Sequence, residues 1–421
     1  MKAHRNIIAC IIGNILEWYE FSLFAYLAPL MAALFFPEKD AITALLLTLL
    51  IFAAGFLVRP LGSIFLGHLG DRWGRAKTLK LTIFLMSIAS LLTSCLPTYE
   101  SVGIAAPILL MMCRLLQGFC IGGEFAGSII YLSELSKGKY RALISGMTNS
   151  GSNIGVLIAI TTCFLFSTVL SSHELGKYGW RILFLSGGFL GMLGLWLRRD
   201  LSESTTFDVL QKNISEPYLP LQYVFQVQWR RMLTILMLLF ISAGGNYTLM
   251  AYLSTYFHQF LHTSLKDAYA MQTLFIVISL GLLPCFSYVA DCIGRKKVLL
   301  FSLIGYLVFS LPSFILLQHR PAGWVLLPLI FFYSAEQAVM PALIVEMFPG
   351  KGRYTGISIS YNITMALIGG FSAAINTWLI HHFHNTVMPA YYLMGCACVS
   401  LYVVLKYIPL NYGTKCNLSE A

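Results

Sequence analysis

The chain has 421 residues, of which 57% are hydrophobic and 11% are charged, and its formal net charge is +10. A soluble protein of this length cannot bury so much apolar surface, so the composition excludes an ordinary globular protein. The positive charge does not indicate nucleic-acid binding, because Lys and Arg are spread through short loops and are not gathered on one domain.

Apolar runs long enough to cross a membrane recur along the whole chain. A helical span needs about 20 apolar residues, whereas barrel strands alternate over about ten, and these runs do not alternate. The first run follows Lys2 and Arg5 but contains Glu17 and Glu20 and lacks a small-residue cleavage site, so we expect a retained helix. We place twelve spans, near residues 7–35, 43–69, 78–97, 103–133, 142–170, 179–198, 230–257, 267–290, 298–317, 323–346, 355–381 and 387–408.

One long polar interruption, residues 199–229, divides these spans six and six. We therefore expect an N-terminal bundle over residues 1–198, a central loop over 199–229, and a C-terminal bundle with a short tail over 230–421. Lys and Arg are concentrated in alternate loops. The positive-inside rule places those loops, both termini and the central loop in the cytoplasm, as in a bacterial inner-membrane protein. The loops between them hold only Lys39, Lys177, Arg181, Lys266 and Arg320.

A charged loop motif occurs twice. Residues 67–77 read GHLGDRWGRAK and residues 287–297 read SYVADCIGRKK, while ELSKGKYR at 134–141 is echoed by EMFPGKGR at 346–353. The echoes indicate two halves related as parallel repeats. Opposite charges at helix ends can pair in one conformation and separate in another, and each partly hydrated pair would contribute about 1 kcal/mol. We expect a cytoplasmic gate formed by Asp71, Arg75, Glu134, Arg141, Asp291, Arg295, Glu346 and Arg353.

Residues 67–77 resemble the loop signature between helices 2 and 3 of the major facilitator superfamily. Four longer stretches carry a closer resemblance. They are GNILEWYEFSLFAYLA (13–28), FLVRPLGSIFLGHLGDRWGR (56–75), RLLQGFCIGGEFAG (114–127) and RYTGISISYNI (353–363). These stretches resemble the metabolite–proton symporters of that superfamily, a group that includes the proline/betaine, α-ketoglutarate, citrate and shikimate permeases. The resemblance implies an all-α membrane protein with twelve helices in two six-helix bundles and alternating access around a central site. It also implies acidic residues at positions 17 and 20.

The C-terminal copy of the loop departs from the signature. Ser287 stands where the family has Gly, and Cys292 stands where it has Arg, so the resemblance does not imply a symmetric second gate. The chain also ends soon after the last span, without the long coiled-coil extension of osmosensing members. We therefore do not expect an osmosensor.

Ionisable groups inside spans are costly, so each marks a candidate functional residue. Glu17 and Glu20 are three residues apart on one helix face, one turn after Asn14. Two carboxylates so close cannot both ionise readily in a low-dielectric site. We expect one of them, Glu20 foremost, to carry a coupling proton. The alternative is that one of them pairs with an Arg as structural support.

The other intramembrane polar residues predict a substrate site. Arg59 and Arg114 are expected to be the only buried cations, and a guanidinium group binds a carboxylate with two hydrogen bonds. This favours a carboxylate-bearing substrate, although both arginines could instead only neutralise the buried acids. The candidate substrate-binding residues are Arg114, Gln117, Glu124, Arg59, Asn14, Tyr247, Asn246, Glu336 and Asn362.

Two features of the C-terminal half stay open at this point. Tyr247, Tyr252 and Tyr256 could enclose a quaternary ammonium group by cation–π attraction, or they could simply fill space in an aromatic-rich chain. Glu336 matches no motif, and it could bind a cationic group, couple a second proton or pair within its bundle. The sequence does not distinguish between these alternatives, either for the tyrosines or for Glu336.

These residues predict a secondary active transporter that imports a small carboxylate-bearing or zwitterionic metabolite with a proton. The alternatives are a proton-antiport exporter of cations or drugs and a transport-inactive membrane sensor. No ATP-binding or phosphate-binding loop is present, so we do not expect an enzyme. We expect a monomer that contacts the bilayer and a small substrate, with no nucleic acid, no metal site and no cofactor besides the proton.

Overall fold

The structure, a computed structural model, describes residues 2–36, 41–136, 140–199, 201, 203 and 219–409. Twelve helices in these ranges are long and apolar enough to cross a membrane, which confirms the predicted number of spans. Every regular element in the described ranges is helical. Most of the predicted central loop and the predicted C-terminal tail lie outside the described residues.

The membrane helices are numbered here in chain order. They are α1 (Lys2–Phe35), α2 (Ala41–Arg72), α3 (Arg75–Ser94), α4 (Ala105–Leu135), α5 (Arg141–Val169), α6 (Leu175–Arg198), α7 (Trp229–Phe260), α8 (Leu265–Ile293), α9 (Arg295–His319), α10 (Gly323–Glu346), α11 (Arg353–Phe383) and α12 (Met388–Tyr407). A short helix, Pro220–Val227, lies within the segment that the sequence predicts as a loop.

Each copy of the repeated motif contains a glycine at which one helix ends and the next begins. Gly74 separates α2 from α3 with φ of 110°, and Gly294 separates α8 from α9 with φ of 103°. Residues with a side chain rarely adopt this region, whereas glycine enters it without steric cost. Because the glycine has the same position in both copies of the motif, one helix ends and the next begins at equivalent places in the two halves.

The helices form two six-helix bundles, α1–α6 and α7–α12, as the resemblance implied. Within the first bundle, α2 packs on α4 and α1 packs on α5. Between the bundles, α5 packs on α8 and on α10, and α2 packs on α11. Helix α2 is equivalent to α8 in the repeat, and α5 is equivalent to α11. The interface between α2 and α11 is therefore equivalent to the interface between α8 and α5.

Two helices that face the centre of the molecule contain wide turns. Residues Tyr247–Tyr252 of α7 and Met365–Gly369 of α11 are π-helical. Gly369 packs directly on the Tyr247 ring, and an added Cβ would overlap that ring. Wide turns of this kind often occur at functional sites, because they rotate the following side chains relative to a regular helix.

Candidate functional site

The end of the bundles that carries Asp71 and Asp291, called here the basic face, is the side predicted to be cytoplasmic. Asp71 accepts hydrogen bonds from the backbone N–H groups of Tyr354 (3.2 Å) and Thr355 (2.9 Å) at the start of α11. Asp291 accepts from the N–H groups of Ala142 (3.0 Å) and Leu143 (2.9 Å) at the start of α5. Each carboxylate therefore caps a helix of the opposite bundle, where free N–H groups and the helix dipole favour negative charge.

Ion pairs surround the first of these caps. Arg75 lies 3.5 Å from Asp71 and 3.6 Å from Glu134, and Arg353 of the other bundle lies 3.4 Å from Glu134. The side chains of Asp71, Arg75 and Glu134 are at most 2% exposed. The expectation of partly hydrated pairs is wrong for Asp71, Arg75 and Glu134, because the two bundles close over these three charges, whereas the Arg353 side chain is 18% exposed.

The second cap has the same surroundings despite Ser287 and Cys292. Arg295 lies 2.7 Å from Asp291 and 3.5 Å from Glu346, and Arg141 lies 3.3 Å from Glu346 across the interface. The Arg141 side chain is 23% exposed, so this outer pair is partly hydrated as expected. All eight predicted gate residues thus lie in two equivalent networks that join the bundles at the basic face.

A pocket lies inside the N-terminal bundle. It is called here the charged pocket, and its polar residues are Glu17, Glu20, Arg59, Arg114 and Gln117. All five side chains are buried. Apolar residues form the remaining wall, and among them are the rings of Phe21, Phe52 and Phe56.

Hydrogen bonding in the charged pocket is incomplete. Gln117 Nε2 donates to one oxygen of Glu20 at 2.8 Å. The nearby Ser90 hydroxyl donates to the Phe184 carbonyl at 2.9 Å, which leaves the second Glu20 oxygen without a donor in the described chain. Arg114 Nε and Nη2 likewise have no acceptor among the described residues. The pocket can therefore take up a proton at a carboxylate and an acceptor at Arg114.

Aromatic rings hold both arginines of the charged pocket. The Arg114 Cζ atom lies 3.8 Å from the centre of the Phe24 ring, and the Arg59 Cζ atom lies 4.3 Å from that of Phe56. Planar guanidinium groups stack on aromatic faces and keep their N–H edge free. The two cations are thus positioned without salt bridges to Glu17 or Glu20.

A second cavity lies between the bundles and is called here the inter-bundle cavity. Helices α1, α4 and α5 line it from one side, and α7, α10 and α11 line it from the other. None of its lining residues is charged. The polar lining residues are Asn149, Ser152, Asn153, Ser242, Asn246 and Gln337, and the aromatic ones are Trp18, Phe125, Tyr333 and Tyr361.

Tyr247 lies between the two cavities. Its ring centre is 5.4 Å from that of Phe56, which lines the charged pocket, and 6.3 Å from that of Trp18, which lines the inter-bundle cavity. Its hydroxyl accepts a hydrogen bond from Arg59 Nη1 at 3.5 Å. Tyr247 therefore connects a residue of the charged pocket to the C-terminal bundle.

The structure does not bring the predicted substrate residues into one site. Arg59, Arg114 and Gln117 lie in the charged pocket, and Asn246 lies in the inter-bundle cavity. Neither cavity is lined by Asn14, Glu124, Glu336 or Asn362. Asn14 donates to the Cys10 carbonyl (3.2 Å), and Asn362 donates to the Gly122 carbonyl of the other bundle (2.8 Å).

Glu124 is bound by a cation that the sequence analysis missed. Arg198, at the end of α6, forms an ion pair with Glu124, and both side chains are fully buried. Thr82 also donates to Glu124, and Arg198 donates to the Ala9 carbonyl at 2.8 Å. The expectation that Arg59 and Arg114 are the only buried cations is wrong, because Arg198 extends back into the bundle from a position that reads as a loop residue.

The structure does not favour the tyrosine enclosure, one of the two alternatives that the sequence left open. The Tyr252 hydroxyl accepts from Thr377 (3.0 Å) and the Tyr256 hydroxyl donates to the Thr386 carbonyl (2.9 Å), and neither residue lines the charged pocket or the inter-bundle cavity. The polar stripe Asn149, Ser152 and Asn153 was missed. Its spacing of three and four residues inside an apolar span was a readable sign of one polar helix face.

The sequence is similar to known transporters along nearly its whole length. The family model described as Major Facilitator Superfamily matches residues 10–332 and, in a second overlapping match, residues 235–417. The proline/betaine transporters of Escherichia coli K12 and O157:H7 are 32% identical over 415 residues, which covers 95% of this chain and 82% of each relative.

The fold is similar to that of the proton:xylose symporter XylE bound to 6-bromo-6-deoxy-D-glucose. The TM-score is 0.81 at 18% sequence identity, and the match covers 98% of this chain and 97% of that one. The sequence matches confirm the family that the loop signature and the four longer stretches indicated. The chain therefore belongs to the major facilitator superfamily of membrane transporters, in the group that includes the proline/betaine transporters.

Proposed function

We propose that this chain is a secondary active transporter that imports a small zwitterionic or carboxylate-bearing metabolite together with a proton. The observation that carries the proposal is the charged pocket, where Glu17 and Glu20 are buried beside two arginines with which they make no salt bridge. The names of the relatives support a small solute as cargo and a proton as the coupling ion.

The proton is held by Glu20, with Glu17 as its neighbour. Gln117 donates to one Glu20 oxygen, and the other is open to a proton. An ionised, unpaired carboxylate is costly to carry through a conformational change in a dry bundle. The protonated carrier with bound cargo reorients, whereas the empty, ionised carrier reorients slowly, and this difference couples the two fluxes.

The cargo binds in the inter-bundle cavity, because alternating access requires a site that both halves line. The free N–H group of Trp18, which has no acceptor in the described part of the chain, suits a carboxylate oxygen of the cargo. Arg59, Arg114 and Gln117 then act on the coupling proton and not on the cargo. The sequence left two roles open for the arginines, binding a carboxylate of the substrate or neutralising the buried acids. We assign them the second role.

The two halves, residues 1–198 and 230–421, rock about the inter-bundle cavity. The ion-pair networks of Asp71 and Asp291 close the basic face in the present conformation and separate when the cavity opens to the cytoplasm. We place the basic face, both termini and the central loop 199–229 in the cytoplasm of a bacterial inner membrane, with one chain as the working unit.

Uptake into proteoliposomes tests the proposal. The panel is radiolabelled glycine betaine, proline, citrate, α-ketoglutarate and shikimate, each with an inward proton gradient and with or without an uncoupler. We expect uncoupler-sensitive accumulation of one compound. Glu20→Gln should lose accumulation but keep exchange of cargo for cargo, while Glu100→Gln, an exposed residue outside the pocket, should match the wild type.

Four outcomes contradict the proposal. Accumulation that survives the uncoupler excludes proton coupling, and wild-type accumulation by Glu20→Gln removes Glu20 from that role. Proton-driven efflux of lipophilic cations favours the exporter. Folded protein that moves none of these compounds in either direction favours the sensor.

A further inference from the structure

Glu336 on α10 is a fully buried carboxyl group that the coupling mechanism does not use. The Ser242 hydroxyl donates to one of its oxygens, and Gln337 Nε2 donates to the other at 3.0 Å. Both donors line the inter-bundle cavity. Glu336 therefore does not line the cavity itself but is hydrogen-bonded to two residues of the C-terminal bundle that do.

Glu336 differs from the other buried acids in having no arginine or lysine near it within the described residues. Glu17 and Glu20 form no salt bridge either, but they lie beside Arg59 and Arg114 in the charged pocket. Glu124 has Arg198, and the acids of the basic face have arginines. The titratable groups that face Glu336 are Tyr306 on α9 and Tyr333 on α10. The next one outward is Cys396 on α12, which faces Tyr306.

Among the described residues, the groups hydrogen-bonded to Glu336 and to the adjoining Gln337 are also neutral. Helix α7 contributes Ser242, and α5 contributes Asn149, whose side chain donates to the Gln337 carbonyl at 2.7 Å. An ionised carboxylate in such surroundings lacks a counter-charge, and this is costly in a dry interior. The group is stable there either with a proton or with a cation in the adjoining cavity.

The cavity in front of Glu336 suits a cation. Trp18, Phe125, Tyr333 and Tyr361 form its aromatic lining, and the Phe125 and Tyr361 rings stack with their centres 4.4 Å apart. Aromatic faces attract ammonium groups, most strongly where water is excluded. The lining contains no Lys or Arg that would repel a positive charge.

We propose that Glu336 is the charge-selecting residue of the inter-bundle cavity, holding a proton while the cavity contains no cation and releasing it when an ammonium-bearing cargo enters. The proton passes to water, and the positive charge of the cargo replaces it as the counter-charge. No covalent bond of the cargo changes. The inference rests on the proposed function, since it takes the inter-bundle cavity as the cargo site, and it narrows the cargo to molecules with an ammonium group.

A pair of matched probes tests the inference with the full chain in lipid nanodiscs. Glycine betaine and 3,3-dimethylbutanoate have nearly the same shape and the same carboxylate, but only the first carries a positive charge. We expect betaine to bind at least about tenfold more tightly, the factor that corresponds to about 1.4 kcal/mol. Its affinity should rise with pH by up to about tenfold per unit, because binding releases one proton. The affinity of 3,3-dimethylbutanoate should lack this rise.

Variants assign the effect to Glu336. Glu336→Gln should bind the two probes about equally and lose the pH dependence of betaine binding. Glu336→Asp should regain part of both effects. Glu100→Gln, an exposed acid, should leave both unchanged. Infrared difference spectra give a second readout, in which betaine or tetramethylammonium removes a protonated-carboxyl band that Glu336→Gln lacks.

Several results would overturn the inference. These are equal affinities of the two probes in the wild type, a pH dependence that survives Glu336→Gln, or binding of neither probe to folded protein with an unchanged infrared spectrum. Failure of the proposed function looks different. If accumulation resists the uncoupler while betaine discrimination depends on Glu336, symport is wrong and the charge-selecting role stands.

Discussion

Ser287 on α8 lies so close to Gly146 on α5 that a Cβ added to Gly146 would come 2.6 Å from the Ser287 hydroxyl oxygen. At the equivalent interface, Gly67 of α2 faces Thr355 and Ser358 of α11, and an added Cβ would come 2.9 Å from the Thr355 Cα and 3.6 Å from the Ser358 Cβ. In the first copy the glycine is on α2 and the serine on α11. In the second copy the serine is on α8, the equivalent of α2, and the glycine is on α5, the equivalent of α11. The departure from the loop signature at Ser287 is compensated on the facing helix, which is why the second interface closes like the first.

The first prediction concerns this exchange. Gly146→Ser alone should place two side chains in the space of one and destabilise the protein by about 1–3 kcal/mol, the usual cost of overpacking. Adding Ser287→Gly should recover most of that loss, because the double variant recreates the arrangement at Gly67 and Ser358. Thermal unfolding and initial uptake rates measure both effects.

Gly281→Ser on the same helix is the control, since a Cβ added there meets nothing within 4 Å. It should behave like the wild type. A tolerated Gly146→Ser variant, or a double variant no better than the single one, would show that the interfaces do not compensate.

The second prediction concerns the closed basic face. Asp71→Asn should favour the conformation that is open at this face, since removing one charge of a buried pair costs about 3–5 kcal/mol. Spin labels at the exposed positions Lys77 and Lys297, in a cysteine-free background, report the separation of the bundles. We expect a longer distance in Asp71→Asn.

Arg141→Gln should lengthen the same distance much less, because its pair with Glu346 is partly hydrated and such pairs contribute about 1 kcal/mol or less. Identical distance distributions for the wild type and Asp71→Asn would refute the gate assignment. A larger effect of Arg141→Gln than of Asp71→Asn would also contradict the ranking by burial.

The third prediction separates a structural role of Glu124 from a role in cargo binding. Glu124→Gln leaves Arg198 buried without its partner, which should cost about 3–5 kcal/mol of stability. Replacing both by apolar residues, Glu124→Leu with Arg198→Met, should restore much of it. Cargo affinity of the folded variants should match the wild type, and a loss of affinity without a loss of stability would return Glu124 to the substrate site.

The fourth prediction concerns the shape of the Arg114 cation. Arg114→Lys keeps the charge but loses the planar group that stacks on Phe24, so the initial rate of proton-driven uptake should fall about tenfold or more. Arg320→Lys, at an exposed position, is the matched control. An unchanged rate in Arg114→Lys would mean that only the charge matters.

The sequence predicted which charged residues meet at the basic face, but it did not predict how the candidate substrate residues are distributed, for a physical reason. Asp71 and Asp291 occupy the same place in a repeated motif, and a repeat implies equivalent positions in space before any coordinates are known. Glu124 and Arg198 are 74 residues apart and share no motif, so their pairing could not be read from spacing. Their contact depends on how α4 and α6 are rotated toward each other.

The sequence by itself determined the twelve spans, their division into two equivalent halves and the family, because apolar length and repeated motifs are written in contiguous residues. Only the tertiary structure decided that the predicted substrate residues do not form one site. Three of them line the charged pocket, Asn246 lines the inter-bundle cavity, Tyr247 lies between the two, and the other four line neither. Which side chain reaches which cavity depends on the rotation and wide turns of packed helices, and those are set by contacts between residues far apart in the chain.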